Sequence, residues 1–410
     1  MTKIKPLLPL PIFDSSQFIE SQNDFFHLNP DYNYNMEDIQ KAKMFLNSYR
    51  GSIGTYNSYR NEIEHLIHWS ALIANKSLKD IKREDIENFI RFCQKPPKHW
   101  IGTHKPPKFI GRDKVRLPNP VWRPFIVTVS KSDNRRGNKP DIKDFEYSQT
   151  AIKQLFAIIS SFYNYMLQEE YVLSNPVALI RQKSKFIRKV QEKPKIRRLS
   201  ELQWLYVIEK AKENADTDSN DYNERTLFIM SALYLMYLRV SELVASLRWT
   251  PKMNDFAKDN DNNWWFTTVG KGNKQRQIAV SDTMLEALKR WRNHLKLSFL
   301  PTPADVDPLI PKTIGSGPIT SSTYIRRVVQ KCFDQAIEDL QRDGFNDEAE
   351  SLLVATVHWL RHTGISEDVK IRPKEHVRDD AGHSSSAITD KYIDIELRER
   401  HKSAKKKLLT

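Results

Sequence analysis

Cysteine is nearly absent from this chain: 410 residues hold only Cys93 and Cys332, far apart in sequence. Two such residues build neither a cysteine-rich metal cluster nor a disulfide framework, and a reducing compartment suits them. No apolar run reaches membrane-spanning length, and the N-terminal stretch lacks the apolar core of a signal peptide. A cytoplasmic protein with no membrane partner is therefore expected. No internal repeat stands out. Acidic residues are in deficit, with 51 Asp+Glu against 65 Lys+Arg and a net charge of +14. That sign suits a polyanion, because cationic side chains release counterions from nucleic-acid phosphates. Charge alone would equally fit a basic protein with no such partner.

The positive charge is concentrated. Residues 181–199 carry Arg181, Lys183, Lys185, Arg188, Lys189, Lys193, Lys195, Arg197 and Arg198, opposed only by Glu192. Such a run is usually solvated and flexible. Ser200 and Gln203 follow it as a capping-box signature for a new helix. The run reads as a linker between two domains. Before it, apolar residues at helical spacing mark 57–74, 85–93 and 150–169. Between these, 95–143 interrupts the pattern with eight prolines, Trp100, Trp122 and thirteen basic residues against three acidic ones. Proline pairs forbid a continuous helix there, and 125–129 reads as a short strand. This insertion reads either as a tolerated surface loop or as an added contact to DNA or a second protomer. Domain expectations follow: an irregular arm at 1–40, a helical domain at 41–180, the linker at 181–199, a mixed helical and sheet domain at 200–392, and a tail at 393–410.

The second domain holds a group of residues with one chemistry in common. Arg239 lies in Leu238-Arg239-Val240-Ser241-Glu242-Leu243, and Lys271 in Gly270-Lys271-Gly272. His358-Trp359-Leu360-Arg361, Gly382-His383 and Tyr392 come later, and no other tyrosine follows Tyr324. A phenol has an ordinary pKa of about 10, so it attacks well only with cations around it and a base for its proton. Arginine forks match the non-bridging oxygens of a phosphate in transfer. A lysine near other cations can protonate a leaving sugar oxygen. His358 and Arg361 sit three apart and share a helix face, as Glu242 does with Arg239. Lys271 falls between the strand-like runs Trp264–Val269 and 277–280, on turn chemistry that predicts a β-hairpin. Each piece alone is ordinary: a solvated helix pair, a helix end, a hairpin turn, a half-buried tyrosine. The ordered set is not.

In order and spacing the set resembles the active site of the tyrosine recombinases, the phage integrase family. Arg239 with Glu242 resembles the family's first arginine motif, and Lys271 its hairpin lysine. His358, Arg361 and His362-Thr363 resemble its histidine–arginine box. Gly382-His383-Ser384-Ser385 resembles the second histidine box, and Tyr392 the nucleophile. More weakly, Thr55-Tyr56-Asn57-Ser58-Tyr59, Phe162-Tyr163-Asn164-Tyr165 and Asn175-Pro176 resemble runs of its helical core-binding domain. Two positions depart: Met236-Tyr237 stand where a Thr-Gly pair is common, and Ala381 where leucine is usual. The resemblance implies a mainly α fold with a small β-sheet, built as a two-lobed DNA clamp. Its parts would be a SAM-like helical core-binding domain and a mixed α/β catalytic domain. It implies a site-specific recombinase of integrase or resolvase type acting through a 3′-phosphotyrosyl intermediate, with no metal or nucleotide cofactor. Arg239 and Arg361 would bind the phosphate, His383 would add a hydrogen bond, His358 would assist proton transfer, Lys271 would be the acid and Tyr392 the nucleophile. Implied partners are double-stranded DNA with an inverted-repeat site, three further protomers in a homotetramer on two sites, and accessory DNA-bending proteins. The location would be the nucleoid, and the 393–410 tail would contact a neighbouring protomer. Two other readings share these residues: a type IB topoisomerase that relaxes DNA as a monomer, and a non-catalytic DNA-binding protein that keeps the fold.

Overall fold

The computed structural model is mainly helical with small sheets. It describes residues 8–22, 25, 27–111, 116–178, 180, 186–187, 197–270, 272–383, 385, 388–390 and 404–405. The chain divides into two compact units, Met1–Gln191 and Glu192–Thr410. Among the described residues, no helix is long and apolar enough to cross a membrane.

The first unit is built from α1 (Met36–Asn47), α2 (Ile53–Trp69), α3 (Arg83–Gln94), the short α4 (Lys131–Arg135) and α5 (Gln149–Gln168). Polar caps set the starts. Asn35 Oδ1 accepts from Glu37 N at 2.9 Å, and the Ser148 hydroxyl accepts from Ala151 N at 3.2 Å. Phe45, Leu66, Phe89, Phe156 and Phe162 pack in one core. Buried Asp38 accepts from Leu78 N at 2.8 Å and from the Tyr171 hydroxyl at 2.7 Å, which ties α1 to segments beyond α2 and α5. Burial still outweighs these partners and raises the Asp38 pKa, and losing them would leave the carboxylate unsatisfied.

The arm and the insertion depart from expectation here. The described residues of 8–35 form no helix or strand, but α1 begins at Met36, inside the stretch expected to be irregular. The arm is also firmly packed. Ile12 and Phe13 are fully buried, Phe13 N donates to Glu64 Oε1 at 2.9 Å, and the Tyr56 hydroxyl donates to Asp14 O at 2.6 Å. The insertion pairs β1 (Ile101–Gly102) with β4 (Phe125–Ile126) in parallel, and β2 (Phe109–Ile110) with β3 (Leu117–Pro118) antiparallel. Trp100, Phe109, Trp122 and Phe125 are buried. Two of its cations, which the DNA-contact reading would place on phosphates, are used inside the fold instead. Lys108 pairs with fully buried Glu64, and Arg116 grips Asp14 with Nη2 at 2.8 Å from Oδ1. A buried carboxylate demands such a partner, so these two cations are not available to DNA.

In the second unit, Leu199 N donates to Thr363 Oγ1 at 2.9 Å just before α6 (Glu201–Thr217). The Ser200–Gln203 capping box forms in both directions, at 3.1 and 2.9 Å. Then come α7 (Asp221–Leu235), an antiparallel sheet of β5 (Phe256–Lys258), β6 (Trp264–Val269) and β7 (Gln275–Ala279), and α8 (Asp282–His294). The unit closes with α9 (Ser322–Arg342), α10 (Asn346–Leu352), α11 (Val357–Asp368) and α12 (Lys374–Ala381). Its core joins Phe228, Trp291, Phe333, Leu340 and Leu360, with Phe228 stacked on Trp291 at 5.6 Å. Gly364 lets α11 lie close to α7, since a Cβ there would run into the Tyr234 carbonyl. Most of the 181–199 stretch and of the 393–410 tail lies outside the described residues, so the expected linker and the expected contact to a neighbouring protomer do too.

Candidate active site

The site gathers at the meeting of α7, the β6–β7 hairpin, α11 and the end of α12. The segment after α7 was read as helical from its sequence; it is instead a 3-10 turn, Val240–Glu242. Tyr237 reverses the chain with φ 50°, a left-handed backbone that a bulky residue rarely takes. Glycine takes it freely, which explains why a Thr-Gly pair suits this position in proteins the sequence resembles. Arg239 follows at the head of the turn. Its Nη1 donates to Glu242 Oε1 at 3.0 Å and its backbone N to Oε2 at 2.8 Å. Glu242 is 1% exposed. Burial pushes its pKa up, but the forks of Arg276 and Arg239 outweigh that and hold it below the usual carboxylate range.

Arg276 was not anticipated. It donates to both Glu242 oxygens, at 2.7 and 2.9 Å, and through Nε to Asp380 O at 2.9 Å. The strand period carried a signal for it: Arg276 and core residue Ile278 are two apart on β7 and so face one way. The predicted hairpin is present, with Val269 opposite Gln275 and Gly270 N donating to Lys274 O at 2.8 Å. Gly270 lies against the Arg239–Glu242–Arg276 cluster; a Cβ on it would stand 3.1 Å from both Arg276 Nη1 and Glu242 Oε1. Lys271 itself lies outside the described residues.

On α11, Arg361 is 5% exposed while His358, one turn back, is exposed. Arg361 forks between two backbone carbonyls, Nη1 to Tyr237 O and Nη2 to Ala381 O at 2.5 Å. Arg239 Nη2 reaches the next carbonyl, Gly382 O, at 3.4 Å. Two arginines thus meet consecutive carbonyls at the end of α12. Gly382 turns the chain there with φ 63°, its face covered by the Arg276 stem, and delivers His383. His383 Nδ1 lies 2.9 Å from Thr389 Oγ1. Described structure continues to Asp390, and Tyr392 lies outside it. Four of the six predicted residues, Arg239, His358, Arg361 and His383, are thereby brought to one place.

Burial, helped by the neighbouring cations, sets the histidines' protonation. Burial, then Arg361 and Arg239, push His383 down to about 4. Burial, then Arg361, His358 and Arg197, push His362 to about 4 as well. Partial desolvation, then Arg326, Arg361 and Arg239, lower His358. At neutral pH all three are uncharged, so His358 is able to accept a proton. The same shifts bear on stability. An unfolded histidine binds a proton near pH 6.5, whereas folded His362 and His383 resist it until about 4. Their contribution is complete above about pH 6.5 and is lost as pH falls toward 4. Thermal melts from pH 7 to 4.5 should show this fall, and His362→Asn should flatten it; an unchanged slope in that variant would contradict the assignment.

Comparison with known proteins agrees with this geometry. Residues 204–398 match the model of the phage integrase family. Tyrosine recombinase XerD of Staphylococcus haemolyticus (strain JCSC1435) is 29% identical over 154 residues, 37% of this chain and 45% of that protein. Tyrosine recombinase XerC of Bacillus subtilis (strain 168) is 25% identical over 257 residues, 60% of this chain and 71% of that protein. The chain thus spans less than half the length of the staphylococcal relative. In fold the chain is similar to the XerH site-specific recombinase bound to palindromic difH substrate, with TM-score 0.54 at 14% identity, over 97% of this chain and 98% of that one. Residues 204–398 thus carry a domain of the phage integrase family, also called the tyrosine recombinases.

Proposed function

We propose that this protein is a site-specific DNA recombinase that cuts and rejoins strands through Tyr392. The observation that carries this is the convergence of Arg239 and Arg361 on the carbonyls of Gly382 and Ala381, beside uncharged His383. Two guanidinium groups so placed can hold the non-bridging oxygens of one phosphodiester. The Tyr392 oxygen attacks phosphorus and gives its proton to His358. The bond from phosphorus to the 5′ oxygen breaks, and Lys271 protonates that oxygen. A 3′-phosphotyrosyl ester and a free 5′ hydroxyl result. One phosphodiester has been exchanged for another, so no oxidant, reductant or nucleotide is consumed. The 5′ hydroxyl of a partner strand then attacks the ester and regenerates Tyr392. Four protomers on two inverted-repeat sites would complete strand exchange on chromosomal DNA, with DNA-bending proteins assisting.

The test uses genomic DNA from the source organism, denaturant to freeze covalent complexes, and sequencing of the attached fragments. Fragments sharing an inverted repeat around a short spacer, and recombining in pairs, are expected. Relaxation of supercoiled DNA without exchange would favour a topoisomerase instead, and no covalent complex on any DNA would leave only a binding protein.

Lys271 has its own test on such a site. Lys271→Ala should slow cleavage by roughly 100-fold or more if the lysine is the acid. A substrate with sulfur at the 5′ bridging position has a good leaving group, and most of the rate should return. A defect of equal size on both substrates would mean that Lys271 binds phosphate or shapes the turn.

A further inference from the structure

Tyr237 holds a backbone conformation that persists in a bulky residue only where its surroundings fix it. Here they do. Its side chain is 1% exposed, and its hydroxyl donates to Asp368 Oδ2 on α11. The Tyr237 hydroxyl oxygen accepts from Arg372 Nη1 at 2.9 Å. Burial and Asp368 push the phenol's pKa well up, so the hydroxyl keeps its proton. Arg372 also donates to Asp368 Oδ2 at 3.1 Å and to Asp380 Oδ2 at 2.6 Å. The other Asp380 oxygen accepts from Ala279 N at 3.2 Å on β7. One hydroxyl therefore links α11, α12 and the hairpin sheet. On the backbone side, the Tyr237 carbonyl accepts from Arg361 Nη1, and the chain passes through Leu238 straight to Arg239.

We propose that Tyr237 is a positioning residue for both arginines: its hydroxyl, held by Asp368 and Arg372, fixes the 237–239 backbone so that Arg361 and Arg239 converge on one phosphate. This rests on the strand-transfer reading above. Where the family commonly has glycine, this chain obtains the same turn with a side chain that also braces it.

The experiment measures the rate of covalent adduct formation on a nicked recombination site, with two scissile linkages. One is the ordinary phosphodiester. The other is an uncharged methylphosphonate, in which a methyl group replaces one non-bridging oxygen and less is asked of the arginines. Tyr237→Phe removes one oxygen and keeps the ring. It should slow the ordinary substrate roughly 10- to 100-fold, the scale of a small misplacement of catalytic groups. On the methylphosphonate the defect should shrink, as it should for Arg361→Lys. DNA affinity and melting temperature separate this from a loss of folded protein, which would lower both substrates alike. If Tyr237→Phe does not fold, Asp368→Asn weakens the same link and should show the same selective loss. A variant as fast as wild type, or equally slow on both substrates, overturns the proposal. If the wild-type protein forms no adduct at all, the strand-transfer reading has failed and this inference falls with it.

Discussion

Tyr392→Phe should form no covalent adduct on a nicked suicide substrate while binding the same DNA as tightly as wild type. The substitution removes a single oxygen. No other tyrosine follows Tyr324, and nothing else in the C-terminal part of the catalytic unit offers a phenol. A phenol with its ordinary pKa of about 10 is a weak nucleophile, so its use presupposes the cations gathered nearby. Arg239 and Arg361 gather at one helix end, where burial first, then Arg361 and Arg239, push His383 down to about 4. Without the nucleophile those cations still bind phosphate, which is why affinity should survive. The check is a denaturing gel beside a binding titration. A normal adduct yield from the Phe variant would remove Tyr392 from the mechanism.

Arg361→Lys should cut about 100- to 1,000-fold more slowly than wild type, the usual cost of one lost donor to a developing oxyanion. The charge is kept, so phosphate attraction and its salt dependence should change little. What is lost is the fork. Buried Arg361 spans the carbonyls of Tyr237 and Ala381 with two different nitrogens. An ammonium on a flexible stem cannot span both, and one buried carbonyl would lose its partner. A lower melting temperature should accompany the rate loss. Single-turnover cleavage at saturating protein isolates the chemical step. A Lys variant with wild-type cleavage would mean that the guanidinium only braces the backbone.

Where local rules decide, the fold could be read from the sequence. The Ser200–Gln203 box forms as its spacing requires, and the two strand-like runs flanking Gly270-Lys271-Gly272 pair as a hairpin predicts, Val269 opposite Gln275. The periodic stretches of the first unit became α2, α3 and α5. What could not be read rests on partners distant in sequence. Leu238–Leu243 has helical spacing, yet Tyr237 and the Arg276 fork on Glu242 pull it into a 3-10 turn. Lys108 and Arg116 look like phosphate ligands until Glu64 and Asp14 are seen to require them. The arm has no periodicity because it adds Ile12 and Phe13 to a core made by other helices. At the site, the arginine and histidine boxes could be named from their resemblance, in order and spacing, to a known family. The bracing by Arg276, Arg372 and Asp380 could not, since Arg276 meets Asp380 across 104 residues.

The central claim is tested most directly by mapping the bond between protein and DNA. Wild-type adduct trapped on a recombination site is digested with protease and nuclease, and the modified peptide is sequenced by mass spectrometry. The expected product is a peptide containing Tyr392 that carries a 3′-linked phosphonucleotide, with a free 5′ hydroxyl on the other DNA end. Attachment through another residue, or through a 5′ phosphate, would contradict it.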